Sequence, residues 1–179
     1  MLQSCQRLLR PLTTITSLGL VMILALGVIL GGLMAHPTPA LAQDYRVNYT
    51  LSDLSNQDFS GKNLEGTSLA GATLRQTNFA GANLRGTILT KADFTEANLA
   101  GADLTAAFAD RISFDRANLT DAVIVGLIAT GTTFTDADIT GADFSFTILD
   151  RYQTYLLCQR ATGFNPTTGV STKMSLSCR

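Results

Sequence analysis

Residues 79–104 read FAGANLRGTILTKADFTEANLAGADL, and a large apolar residue returns at every fifth position: Phe79, Leu84, Leu89, Phe94, Leu99 and Leu104. A helix brings its apolar face round about every 3.6 residues and a half-buried strand every second residue, so neither element accounts for this spacing. The period requires a repeat architecture. It extends outward in both directions. Counted in fives from residue 54 to residue 149, the central positions are Leu54, Phe59, Leu64, Leu69, Leu74, Phe79, Leu84, Leu89, Phe94, Leu99, Leu104, Phe114, Leu119, Ile124, Phe134, Ile139, Phe144 and Leu149, broken only by Ala109 and Ala129.

The rest of each unit is patterned too. Two positions before the centre the residue is usually small, as at Ala82, Ala92, Ala97 and Thr87. The position just before the centre is usually Asn or Asp, as at Asn83, Asp93, Asn98 and Asp103. Glycine often closes the unit, as at Gly81, Gly86 and Gly101, which suits a backbone that turns at every repeat.

Tandem A-[DN]-L-x-G units of this kind strongly resemble the pentapeptide-repeat family over residues 52–151. The resemblance implies an all-β fold: a right-handed quadrilateral β-helix of about five coils, four units to a coil, with residues 20 apart stacked. Central Leu and Phe would fill the axis, and backbone hydrogen bonds would join coils about 4.8 Å apart. In that arrangement Ala109 and Ala129 fall in one column, where Leu127 and Ile112 supply replacement volume.

The stacking has a second consequence. The position before the centre is apolar at Ile88, Phe108, Val123, Ile128 and Ile148, and four of these five lie 20 apart. Ile88, Phe108, Ile128 and Ile148 would form an apolar ridge on one face, widened at the next corner by Val123 and Val125. Contiguous exposed apolar surface marks an interface. Two other readings stay open: the chain slips locally so that Phe108 and Ile128 turn inward, or the C-terminal tail folds over the ridge.

The flanks read differently. Residues 1–42 carry Arg7 and Arg10, an uncharged apolar run from Leu18 to Ala35, and Ala40-Leu41-Ala42 before Gln43, the pattern of a cleaved signal peptide. A retained membrane anchor is the alternative, since the run is borderline in length for a span. Cleavage removes His36, the only histidine, and Cys5, leaving Cys158 and Cys178 as an even pair in an exported chain, which predicts a disulfide. Residues 43–51 read as an N-terminal cap strand, Tyr45, Val47, Tyr49 and Leu51 alternating with polar residues. Residues 152–179 read as a C-terminal cap. Asp150 starts a short helix with Tyr152, Tyr155 and Leu156 on one face, Gly163 ends it, and Asn165–Gly169 turns the chain. This tail is similar to the C-terminal extension of exported pentapeptide-repeat proteins of cyanobacteria and the chloroplast thylakoid lumen, which implies a lumenal or periplasmic location.

Composition bounds the function. The 14 acidic residues all follow residue 42, whereas two of the 13 basic ones precede it, leaving 11 and a net charge of −3. That is too weak a field for the DNA mimicry of the family's gyrase-protecting members, and Lys62, Arg75, Arg85 and Lys91 are scattered among the acids. No nucleic-acid partner is expected. Asp136 with Asp138, or Asp93 with Glu96, invites a paired-carboxylate reading, but the repeat itself explains acidic residues in those units. With no nucleophile–base set, phosphate loop or metal-ligand cluster in the motif pattern, the expectation is a protein without catalytic residues, cofactor or metal. What remains is an exported scaffold for an unknown protein partner or for self-association, with a membrane role only if the leader is retained.

Overall fold

The computed structural model describes residues 47–179. The predicted signal peptide 1–42 and Tyr45 of the predicted cap strand lie outside the described residues. From Asn48 onward the chain forms a right-handed, four-sided β-helix whose coil length is read from its pairing. Asn48 bridges Ser68, Asp53 bridges Thr73, Asp58 bridges Asn78 and Asn63 bridges Asn83, always in parallel and always 20 residues on. The same register climbs to two short strands, β1 (Ile128–Ala129) and β2 (Ile148–Leu149), in which Ile128 pairs with Ile148.

The five-residue unit follows from how each side is bonded. The central N–H donates to a carbonyl 19 residues ahead (Leu89 to Phe108, 2.8 Å), and the residue before it donates to a carbonyl 21 behind (Ile88 to Thr67, 3.0 Å). One side therefore bonds to the coils on both sides of it. A turn then closes, the N–H three after the centre donating to the central carbonyl, as from Ala82 to Phe79 at 2.9 Å. Two residues after each centre from Leu54 to Phe144 φ is positive, the signature of a type II turn. Gly81 at +65° holds that conformation without cost. Lys91, Glu96, Arg111 and Phe146 hold it against the preference of L-residues, because coil-to-coil bonds on either side fix the corner.

Burial follows the same phase. Leu69, Leu74, Phe79, Leu84, Leu89, Phe94, Leu99 and Leu104 are wholly buried, as are Ala109 and Ala129. Leu127 and Ile112 also point inward, filling the axis beside the two alanines. Leu54, Phe59 and Leu149, near the ends of the stack, are partly buried. A chain of rings threads the core through Tyr49, Phe59, Phe79, Phe94, Phe114, Phe134 and Phe144, with neighbouring centroids 5.2–6.0 Å apart. Such pairs stabilise by about 0.5–1.5 kcal/mol each beyond their buried area.

The ends depart from the sequence reading in two places. Residues 48–51 form a side of the coil rather than a separate alternating strand: Tyr49 occupies a central position and donates to Ser68, and Leu51 takes the corner with φ +57°. At the other end, helix α1 (Arg151–Cys158) stops well before Gly163. It buries Leu157, while Tyr152 and Tyr155 face solvent, so the expected face is turned. Tertiary contacts set the rotation. The Asp150 carboxylate does not cap the helix but accepts the Gly131 N–H at 2.7 Å, and Arg160 just beyond the helix donates to the Phe134 carbonyl.

After α1 the tail runs back along the upper coils. Gly141 N–H donates to Thr162, and Asn165, itself buried, donates from Nδ2 to the carbonyls of Asp121 and Ala122 while its Oδ1 accepts the amides of Thr167 and Thr168. Helix α2 (Thr172–Ser175) brings the Ser175 hydroxyl to the Phe144 N–H at 2.9 Å. Cys158 and Cys178, 20 residues apart, are joined in a disulfide that ties α1 to the end of the tail.

Candidate protein-interaction surface

The ridge residues occupy the outward position of one side, stacked by the bridges Ser68–Ile88, Ile88–Phe108, Phe108–Ile128 and Ile128–Ile148. Their exposures are 44% for Ile88, 49% for Phe108, 36% for Ile128 and 58% for Ile148. Neither inward slippage nor tail cover occurs. Slippage is blocked because a one-residue shift reverses which side chains face the core, and Ala109 and Ala129 already hold the inward positions. The tail anchors instead at Asp121, Ala122 and Gly141, on a different side.

Val123 is a correction. The sequence places it beside the ridge, but it is buried at 9% exposure, adjoining the Ala122 carbonyl that Asn165 grips. Val125 remains half-exposed. The ridge thus comprises four stacked residues with Val125 at its border.

The border of the ridge carries both paired and exposed charges, Lys91 being exposed at the corner beside Ile88 and Leu89. Arg111 pairs with Asp110 at 2.8 Å, and Asp150 is held by Gly131. Taking roughly 200 Å² per large side chain, the four residues leave on the order of 400 Å² of apolar surface, a size at which monomer patches are often functional.

Apart from Val123, the other outward columns are polar. On one side Asn78 donates to Asp58, Asn98 to Asn78 and Asn118 to Asn98. Two of the carboxylates that invited a catalytic reading, Glu96 and Asp93, are bonded to neighbouring coils. Glu96 accepts from Gln76 and Arg116, hydrogen bonds that hold its carboxyl below the usual value. Asp93 is raised by burial, but the Thr95 hydroxyl and amide and the Arg75 guanidinium outweigh this and lower it. Asp138 accepts the Thr140 amide and is lowered, while Asp136 sits at a corner with φ +55°. Carboxyls held in the charged form serve as surface acceptors rather than proton donors. Among the described residues no group of three or more His, Cys, Asp or Glu could hold a metal ion, and no helix is long and apolar enough to cross a membrane.

The sequence reading missed a second exposed apolar feature. Phe146 is 88% exposed at a corner with φ +59°, and Met174 is 75% exposed. Both line a groove of about 470 Å³ between the last coil and the tail, with Phe144, Leu149 and Leu176 also on its walls. The signal was present: most corners hold glycine or a polar residue, and Phe146 is the aromatic exception.

Comparison with known proteins follows the same lines. The family of pentapeptide repeats matches residues 50–86, 68–105, 77–114, 97–136 and 117–151. A crystal structure of a pentapeptide repeat protein from the Arabidopsis thaliana thylakoid lumen is similar with a TM-score of 0.70 and 41% identity, covering 71% of this chain and 88% of that one. The Arabidopsis thaliana thylakoid lumenal protein TL20.3, chloroplastic, is 55% identical over 38 residues, which span 21% of this chain and only 14% of that protein's length. A structure of QnrB1, a plasmid-mediated fluoroquinolone resistance protein, shares the fold with a TM-score of 0.52 at 18% identity, covering 63% of this chain and 69% of that chain.

Proposed function

The chain belongs to the pentapeptide-repeat family, and from that premise we propose that it is an exported, non-enzymatic scaffold of a lumen-type compartment that engages a protein partner, or a second copy of itself, through the ridge. The observation that carries this reading is the continuous exposure of Ile88, Phe108, Ile128 and Ile148 on a side built like the polar sides around it. A repeat that elsewhere supplies Asn, Asp, Ser or Thr at this position, the buried Val123 excepted, has here kept four large apolar residues in water.

A lumenal location is supported by the thylakoid-lumen location of the two Arabidopsis relatives and by the signal-like leader in the sequence. A duplex-mimicking role is disfavoured by the weak charge of residues 43–179 and by basic side chains paired among the acids, such as Arg75 with Asp93 and Arg85 with Asp103. The four apolar side chains of the ridge suit recognition by apolar contact.

The test is the double substitution Ile88→Ser with Phe108→Ser, measured by denaturant melt and by sedimentation with pull-down from the native compartment. Both residues are about half exposed, so the expected result is a loss of stability of about 1 kcal/mol or less with loss of self-association or capture. A large fall in stability, or unchanged association, contradicts the reading.

A further inference from the structure

The top rim of the β-helix is only partly closed. In the lower coils the N–H at each corner and each centre donates upward: Gly86 to Thr105, Ala106 to Val125 and Gly126 to Ser145 at the corners, Leu89 to Phe108 and Ala109 to Ile128 at the centres. The carbonyl two before each centre accepts from above, Thr87 from Phe108, Ala107 from Ile128 and Leu127 from Ile148. In the last coil the tail replaces some of these bonds, through Thr162 at Gly141 and Ser175 at Phe144. The segment carrying β2 receives no such replacement. Among the described residues the Phe146 N–H, the Thr147 carbonyl and the Leu149 N–H have no protein partner. This open edge forms one wall of the groove that Phe146, Leu149, Thr154, Met174 and Leu176 line.

We propose that this edge is a docking site for an extended, apolar peptide segment of a partner protein, which adds a parallel strand above β2 as the next rung of the helix. The occupant is fixed by the unfilled bonds. A donor and an acceptor on Leu149 and Thr147 are the complement of one residue of an extended strand, and the coils beneath make that pairing with Ile128 and Ile148. A helix has no free backbone groups to offer such an edge, whereas strand addition gives affinity through main-chain bonds and specificity through alternate side chains. The rung beneath stacks Leu127 with Thr147 and Ala129 with Leu149, so a large side chain beside Thr147 and a small one above Leu149 continue its alternation. Phe146 supports the assignment. A bulky residue at φ +59° is conformationally unfavourable, and this one places its ring in solvent at the mouth of the groove, with Met174 also on the lining. The site is separate from the middle of the ridge and does not rest on the ridge's function.

The test uses the full folded chain and a fluorescein-labelled peptide of sequence VGLIATG, that of residues 125–131, the rung beneath β2. Fluorescence anisotropy is expected to rise saturably. N-methylation of the peptide's Ile removes the donor to Thr147 and is expected to weaken binding about tenfold. N-methylation of its Ala, whose N–H faces away from the edge, changes binding much less. Phe146→Gly is expected to fold at least as well, because glycine suits the corner, and to bind the peptide more weakly. Ile88→Ser with Phe108→Ser leaves peptide binding unchanged, which separates this site from the ridge. No saturable binding, equal loss from both N-methylated peptides, or loss in the ridge variant overturns the proposal.

Discussion

Phe94→Ala is expected to destabilise the folded chain by about 3–5 kcal/mol. The ring is wholly buried, 5.6 Å from Phe79 and 5.3 Å from Phe114 between centroids, so its removal opens a cavity in the middle of the aromatic chain. The backbone cannot collapse into the space, because the coils above and below hold their spacing through the bonds from Phe94 to Ser113 and from Asp93 to Ala72. Asn98→Ala, one unit later, removes only surface bonds to Asn78, Asn118 and the Ala100 amide and is expected to cost about 1 kcal/mol. Denaturant melts of the two variants check the phase of the repeat: equal losses would mean that inward and outward positions are wrongly assigned.

Reducing the Cys158–Cys178 bond is expected to lower stability by about 3 kcal/mol, from the entropy that a 20-residue closure removes from the unfolded chain. The bond matters beyond that figure. Both cysteines pack against the core cluster beside Leu157 and Leu176, and the segment they close includes Asn165, which anchors the tail, and Ser175, which covers the Phe144 amide. Once the tail loosens, those rim groups are free to pair with other chains. Melts of the oxidised chain and of the chain kept in reductant measure the difference. Coincident melts, or two free thiols in the unreduced unfolded protein, would sink the idea.

Much of this was legible in the sequence because a period of five leaves little choice. Once residues 20 apart are stacked, the core centres, the paired alanines and the column from Ile88 to Ile148 follow from arithmetic. What escaped lies where the period stops or where two patterns overlap. Tyr49 sits five residues before Leu54 and so continues the repeat, yet it also alternates with Val47 and Leu51, and that second pattern suggested a strand. In α1 no repeat fixes the rotation of the helix. Its orientation is set by Leu157 entering the core and by Arg160 reaching Phe134, both tertiary facts. Val123 reads as outward and is outward, but Asn165 brings the tail against its neighbour from more than 40 residues away. The open edge above β2 was invisible because it depends on which rim groups the tail leaves uncovered.

The central claim is that the ridge is the surface this scaffold presents to a partner, and site-specific photo-cross-linking tests it most directly. A benzoyl-phenylalanine at position 108 is compared with one at position 98, on a polar side of the same tower, in the exporting compartment. The account predicts a discrete cross-linked species from position 108, to a second copy or to one partner, that is absent from position 98 and is lost when Ile88 and Ile128 are changed to Ser. Equal cross-linking from both positions, or none from position 108, would contradict it.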